Sequence, residues 1–215
     1  MFKDREDAGK KLAKALKGYK DKGVLVLGIP RGGVIVGYEV AKALNADFSI
    51  VISRKLPYPG NPEFGFGAIA EDGSMFIVDE YEAMLPKTIV DKIIAEQKSE
   101  ITRRILALRK GEGLPEIAGR TVILVDDGIA MGSTLRAAIF LCKNKKAQKV
   151  IAASPVSGEQ MEKELADIVD EVVILEKPPF FRAVAQSYQN WHDVPDQEVV
   201  EVIKKWKMRE KTLEI

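Results

Sequence analysis

Short runs rich in Val, Ile and Leu alternate along this chain with segments whose apolar residues recur at helical spacing. That alternation marks βαβ units, in which buried parallel strands are joined through helices that cover the sheet. It restricts the fold to the α/β class: a parallel twisted sheet flanked by helices. Residues 4–19 set Ala8, Leu12, Ala15, Leu16 and Tyr19 at helical spacing and read as an amphipathic first helix. Strands are expected at 24–28, 48–53, 121–125, 149–154 and 171–175. Helices are expected at 34–44, 86–108, 135–145 and 159–169, with a short one after Pro195. The long 86–108 helix aligns Ile89, Ile93, Ile101, Ile105 and Leu108 along one face and leaves a charged, solvated face opposite.

One segment breaks the pattern. Residues 54–73 (RKLPYPGNPEFGFGAIAEDG) are dense in Pro and Gly and far longer than an ordinary connector of about 4 to 6 residues. They read as a functional flap with a small hairpin over 66–78. No repeat, linker or compositional break divides the 215 residues. One domain is therefore expected, carrying an inserted flap at about 54–78 and a C-terminal hood or tail at about 176–215.

Composition excludes several functions. One cysteine, Cys142, cannot form an internal disulfide, and with one histidine, His192, it leaves nothing for a multi-cysteine zinc site or a His-rich metal centre. Cys142 lies on an apolar helical face and reads as core, and His192 in a polar tail reads as structural. Apolar runs such as 24–29 and 121–125 fall far short of the roughly 20 residues a membrane span needs, and the N-terminus lacks a signal peptide's apolar stretch. A soluble, cytoplasmic protein is expected. With 33 basic against 32 acidic residues the net charge is +1, so there is no global pull toward nucleic acid.

The chemistry concentrates in VILVDDGIAMGSTLRAAI, residues 122–139. An apolar strand delivers Asp126 and Asp127 to its carboxyl end, where open α/β sheets bind ligands. The residues that follow, Gly128 to Thr134, are mostly small or hydroxylated and lead straight into a helix, so backbone amides at a helix N-terminus are available to a phosphate. Ser133 and Thr134 add hydroxyl donors. Carboxylates would repel that phosphate unless they face another part of the ligand, such as sugar hydroxyls or a bound Mg²⁺. The ligand implied is a ribose phosphate. A bare Asp-Asp-Gly is commonly no more than a strand-ending turn, and a Ser-Thr pair a helix cap. The complete order of strand, acids, glycines, hydroxyls and helix is far harder to explain that way. A P-loop would need Lys where Ser133 stands, and no three-glycine dinucleotide fingerprint follows a strand.

Residues 122–134 resemble the phosphoribosyl pyrophosphate (PRPP) signature of type I phosphoribosyltransferases. The resemblance extends to GIPRGG at 28–33, to the flap and to the order of strands. In detail it is similar to an uncharacterised prokaryotic group carrying PRGG and PGNPEF segments. It implies that Asp126 and Asp127 hold the ribose hydroxyls as catalytic residues, with possible help to a Mg²⁺ brought in by the substrate and not held mainly by protein. It implies a 5′-phosphate cradle of Gly128, Ala130, Met131, Gly132, Ser133 and Thr134. It further implies a pyrophosphate site of Arg31, Gly32, Gly33, Arg54 and Lys55, with Arg31 also catalytic. In related loops a cis or strained peptide turns an amide toward pyrophosphate, so a cis or distorted Pro30–Arg31 bond is expected. Met131 stands where many members carry Thr or Ala. Ala130 stands where 6-oxopurine enzymes carry Asp, which disfavours hypoxanthine or guanine as acceptor.

On residue chemistry alone, Gly32 and Gly33 allow close backbone approach to a ligand and Arg31 supplies a planar multi-donor cation. Phe64 and Phe66 in the flap, with Phe180 and Phe181 after the last strand, could cover a planar base. The function implied is transfer of the phosphoribosyl group from Mg-PRPP to a nitrogenous base, with pyrophosphate released. The partners are then small molecules, a homodimer is allowed, and neither membrane nor nucleic acid is expected. Two rivals stay open: a non-catalytic PRPP or nucleotide sensor, and a plain binding domain for another phosphorylated metabolite.

Overall fold

A computed structural model describes residues 1–213, with the backbone alone for 62, 63 and 213; residues 214 and 215 of the expected tail lie outside the described residues. The chain begins with α1 (Arg5–Ala15), β1 (Leu25–Gly28), α2 (Gly32–Leu44) and β2 (Asp47–Ile50). Next come β3 (Ser53–Tyr58), β4 (Asn61–Ala70), β5 (Met75–Ile77), α3 (Asp79–Glu82) and α4 (Lys87–Arg109). Then follow β6 (Thr121–Val125), α5 (Ser133–Asn144), β7 (Lys149–Val156), α6 (Glu159–Ala166), β8 (Glu171–Glu176) and α7 (Asp196–Leu213). Asp4 caps α1, its carboxylate accepting from the Asp7 amide at 2.9 Å.

Five strands form a parallel sheet in the order β2-β1-β6-β7-β8, the α/β arrangement expected from the apolar runs. Successive side chains on a strand point to opposite faces, and the core divides accordingly. Leu25, Leu27, Val122 and Leu124 join α5 and α6 in one apolar cluster. Val26, Ile123 and Val125 join α1, α2, α4 and α7 in the other. Among the described residues no helix is long and apolar enough to cross a membrane.

The flap departs from expectation. The hairpin expected over 66–78 is present as the β4–β5 pair, and β3 joins it, so that residues 53–77 build a three-stranded antiparallel sheet, β3-β4-β5. Leu56, Phe66, Ala68, Ile69 and Ala70 are buried, so this sheet is part of the core. The single strand expected over 48–53 splits, because buried Val51 and Ile52 carry the chain from one sheet to the other. The short helix expected after Pro195 is an 18-residue helix. Its Val199, Val202 and Trp206 are buried, with the Trp206 ring 5.4 Å from Phe48 and 6.0 Å from Tyr38. The buried stripe of α4 runs through Val90 and Ile93, and Ile89 is exposed. Cys142 is fully buried, as expected of a core residue, and burial pushes its thiol up to about 12.

An ion pair between Arg109 of α4 and Glu71 locks the small sheet onto the large one. Arg109 Nη1 also donates to the Ile50 carbonyl at 3.1 Å, and Glu71 Oε1 accepts from the Ile52 amide at 2.9 Å. Both side chains are buried, so truncating one leaves an uncompensated charge. Glu71→Ala is expected to lower unfolding free energy by about 3 to 5 kcal/mol. Urea denaturation checks this, and a loss below about 1 kcal/mol would contradict a buried pair.

Candidate active site

Strand register assembles the site. Gly28, the last residue of β1, lies opposite Ile50 of β2 and Val125 of β6, and Val125 lies opposite Ala153 of β7. The segments leaving these strands therefore emerge at one edge, where the strand order reverses between β1 and β6 and α/β sheets bind ligands. The loop 29–31, the pair Asp126–Asp127 and the start of β3 with Arg54 are neighbours for this reason.

The Pro30–Arg31 peptide bond is cis, as the sequence led us to expect. The glycines after it serve the protein's own packing. A Cβ on Gly32 would stand 1.8 Å from Asp127 Oδ2, and one on Gly33 would stand 2.6 Å from the Val125 carbonyl oxygen. The close approach expected toward a ligand is thus, in the structure, an approach to the neighbouring strand end and its carboxylates.

The two aspartates part company. Asp126 lines a 430 Å³ cleft together with Lys55, Gly65 and the segment from Gly128 to Thr134. Burial, and then the charge of Asp127, raise the Asp126 carboxyl well above the usual carboxylate range. Asp127 instead meets Arg5 of α1, whose Nε donates to its Oδ2 at 2.7 Å. The Tyr188 hydroxyl donates to the Asp127 carbonyl oxygen at 2.5 Å.

Gly132 enters α5 with φ of +69°, a conformation glycine adopts without penalty, and no side chain caps the helix. The first-turn amides therefore face the cleft without a side-chain acceptor, beside Ser133 and Thr134. Met131 is 45% exposed at the lip of this loop.

Arg31 is exposed, with Nη1 3.8 Å from Asp196 Oδ1 at the start of α7. Arg54 donates from Nε to Gln97 Oε1 at 3.2 Å. Burial, then the nearby positive charges of Arg104, Arg103 and Arg31, hold the Arg54 guanidinium below its ordinary value, against the opposing pull of Glu100. Arg103 also approaches Asp196, at 3.6 Å. The expected meeting of Arg31 and Arg54 thus takes in two more arginines, on the α4 face that the sequence assigned to solvent. Hydrogen bonds from Arg103, and then Arg104, hold Glu100 down to about 2 despite partial burial.

Of the four aromatic candidates, Phe66 is fully buried and cannot stack on a base. Phe64 packs edge-on against Tyr81 of α3 at 4.7 Å and Tyr58 of β3 at 5.8 Å. Phe180 is 85% exposed. Phe181 lines a second cleft of 370 Å³ with Met161, Pro178 and Pro179, and this cleft meets the first at Ala130. His192 pairs with Glu198 at 2.9 Å on the exposed surface and does not line the cleft. A larger open cleft of 600 Å³ lies by Glu71 and Lys145 and holds none of the expected site residues. Arg5 and Arg182, the latter lining the first cleft, carry no signal in the sequence that singles them out. Only the basic residue beside Phe181 in KPPFFRAV hints at Arg182.

Fold and site together define a parallel α/β protein whose cleft, at the sheet's switch point, sets the Asp126 carboxyl beside an uncapped helix N-terminus, with Asp127 next to it on Arg5. Residues 2–189 match the family described as phosphoribosyl transferase domain, and the chain belongs to that family. Two curated relatives, both from strains of Mycobacterium tuberculosis and each named "putative phosphoribosyl transferase", are 41% identical over 202 residues. The alignment covers 93% of this chain and 46% of each relative, so the chain spans about half their length. The solved structure of TT1426 from Thermus thermophilus is similar over 96% of this chain and 99% of that one, with 33% identity and a TM-score of 0.81.

Proposed function

We propose that this protein binds Mg-PRPP and transfers its phosphoribosyl group to a nitrogenous base, releasing pyrophosphate. The observation that carries the reading is the convergence, at one sheet edge, of Asp126 and Asp127, the uncapped α5 N-terminus and the Arg31 loop. Each suits a different part of one ligand. The α5 amides with Ser133 and Thr134 bind the 5′-phosphate, the aspartates take the ribose diol, and Arg31, Arg54 and Lys55 face the pyrophosphate.

In the transfer a base nitrogen forms a bond to ribose C1 as the bond from C1 to the pyrophosphate oxygen breaks, its electron pair leaving with pyrophosphate and the proton of that nitrogen passing to solvent. The protein's task is positioning and charge compensation. The acceptor fits the 370 Å³ cleft beside Ala130 and Phe181, next to the ribose. Carboxylate oxygens at Asp126 and Asp127 are the hard donors Mg²⁺ prefers, and no group of three ligating side chains occurs among the described residues. The residues thus fit an ion that arrives with substrate oxygens, and when bound it supplies neutralisation of the leaving group. Exposed Met131, and alanine at position 130 where a base-side acid could stand, favour a second reading as a PRPP sensor without turnover.

Calorimetric titration with PRPP, with and without Mg²⁺, followed by a pyrophosphate-release screen over purines, pyrimidines and orotate, tests both. Mg²⁺-dependent binding with release for one base is the expected result. Binding with silence across the panel selects the sensor, and no binding overturns both. Arg31→Ala is expected to lower release at least about tenfold by removing a charge-assisted contact to the leaving group, without loss of folding.

A further inference from the structure

We propose that Arg5 is a positioning residue of the ribose site, holding Asp127 and balancing its charge so that the paired carboxylates can present to the sugar diol. The inference rests on the reading of the cleft as a PRPP site. It adds to that site a residue from the first helix, 122 positions before the aspartate it serves.

Arg5 is 5% exposed and Asp127 14%, so the pair is largely withdrawn from water. The guanidinium is held on three sides. Its Nε donates to Asp127 Oδ2 at 2.7 Å, its Nη1 donates to the His192 carbonyl at 2.9 Å, and its centre lies 3.9 Å from the Trp191 ring centroid. Such a fork fixes both the direction and the distance of the carboxylate, which a lysine ammonium does less well. Tyr188 closes the arrangement, donating to the Asp127 carbonyl and lying 5.3 Å, ring to ring, from Trp191.

The pair also contacts the loop after β1. A Cβ on Gly32 would meet Asp127 Oδ2 and, at 2.7 Å, Arg5 Nε, so the loop backbone rests on the ion pair. Two adjacent aspartates at a buried strand end repel one another, and Arg5 is the cation that faces them from α1. Without it, Asp127 would be free to turn away from Asp126 or to take another cation, and the diol would lose one of its two acceptors.

The test compares full-length wild type, Arg5→Gln and Arg5→Lys, with calorimetric titrations of Mg-PRPP and of Mg-pyrophosphate, a ligand with no diol. Arg5→Gln is expected to bind PRPP at least about tenfold more weakly but pyrophosphate, which faces the side chains of Arg31, Arg54 and Lys55, within about threefold of wild type, with Arg5→Lys, which keeps the charge and loses the fork, recovering part of the PRPP affinity. Equal losses for both ligands, or unchanged PRPP affinity, overturn the inference, since a general structural defect would not distinguish them. Absence of PRPP binding by the wild type overturns the underlying reading and this inference with it. Should Arg5→Gln not fold, Trp191 emission decides, read in Trp206→Phe, which leaves Trp191 as the one tryptophan. PRPP is expected to change it and pyrophosphate to leave it unchanged, and the same response to both overturns the proposal.

Discussion

Gly33→Ala is expected to reduce pyrophosphate release by about a hundredfold, the loss that follows from misplacing reacting groups by about 1 Å. An added Cβ would lie 2.6 Å from the Val125 carbonyl oxygen and 2.9 Å from Asp126 Cα, both backbone atoms of a fully buried strand end that cannot rotate away. The loop carrying Arg31 must therefore lift off β6, separating the proposed pyrophosphate contacts from the carboxylates. Overpacking of this kind costs about 1 to 3 kcal/mol, so the melting temperature should fall by several degrees while the protein still folds. Gly18→Ala, with open space around its Cβ, is the control and should match wild type. A Gly33→Ala protein with unchanged melting and release would show that the two loops are not packed as described.

Asp127→Asn is expected to act on stability and on binding together. The amide cannot balance Arg5, which would remain as a cation only 5% exposed. Breaking a buried pair from one side costs about 3 to 5 kcal/mol. The low end is expected here, because asparagine keeps an acceptor oxygen and Arg5 keeps the His192 carbonyl and the Trp191 ring. For a chain of this size that loss corresponds to a fall of about 6 to 12 °C in melting temperature. Domains of ordinary stability survive it, so the fold should persist while PRPP binding weakens at least about tenfold, because the one amide oxygen stays with Arg5 and an NH2 donor replaces the acceptor proposed for the diol. A variant with wild-type melting would show that Asp127 is not ion-paired, and one with wild-type PRPP affinity would remove it from the ligand site.

Much of this architecture is legible in local sequence. Runs such as TVILV at 121–125 identify themselves as buried strands, and the observed β6 has those bounds. The Asp-Asp-Gly and Gly-Ser-Thr elements lie close enough in the chain for their order to state their relation to one helix start. Beyond the 66–78 hairpin the small sheet escapes such reading, because glycine and proline density marks breaks in regular structure. Here the burial of Leu56, Phe66 and Ala68 holds antiparallel strands together despite those residues. Phe66 is lost as a base contact for the same reason.

The sequence by itself determined the α/β class, the strand that carries the carboxylates and the glycine- and hydroxyl-rich loop after it. These depend on neighbours within a few positions, where period and residue type leave little choice. Tertiary structure alone decided that Asp126 faces the cleft while Asp127 faces Arg5, and that Arg104, 13% exposed on a helix face read as solvated, brings its charge near Arg54. It also brought Arg182 to the cleft. A charged side chain carries no periodic signal of its partner. Its role is set by which surface the packing of α1, α4 and the tail presents to it, and that is known only once distant segments have met.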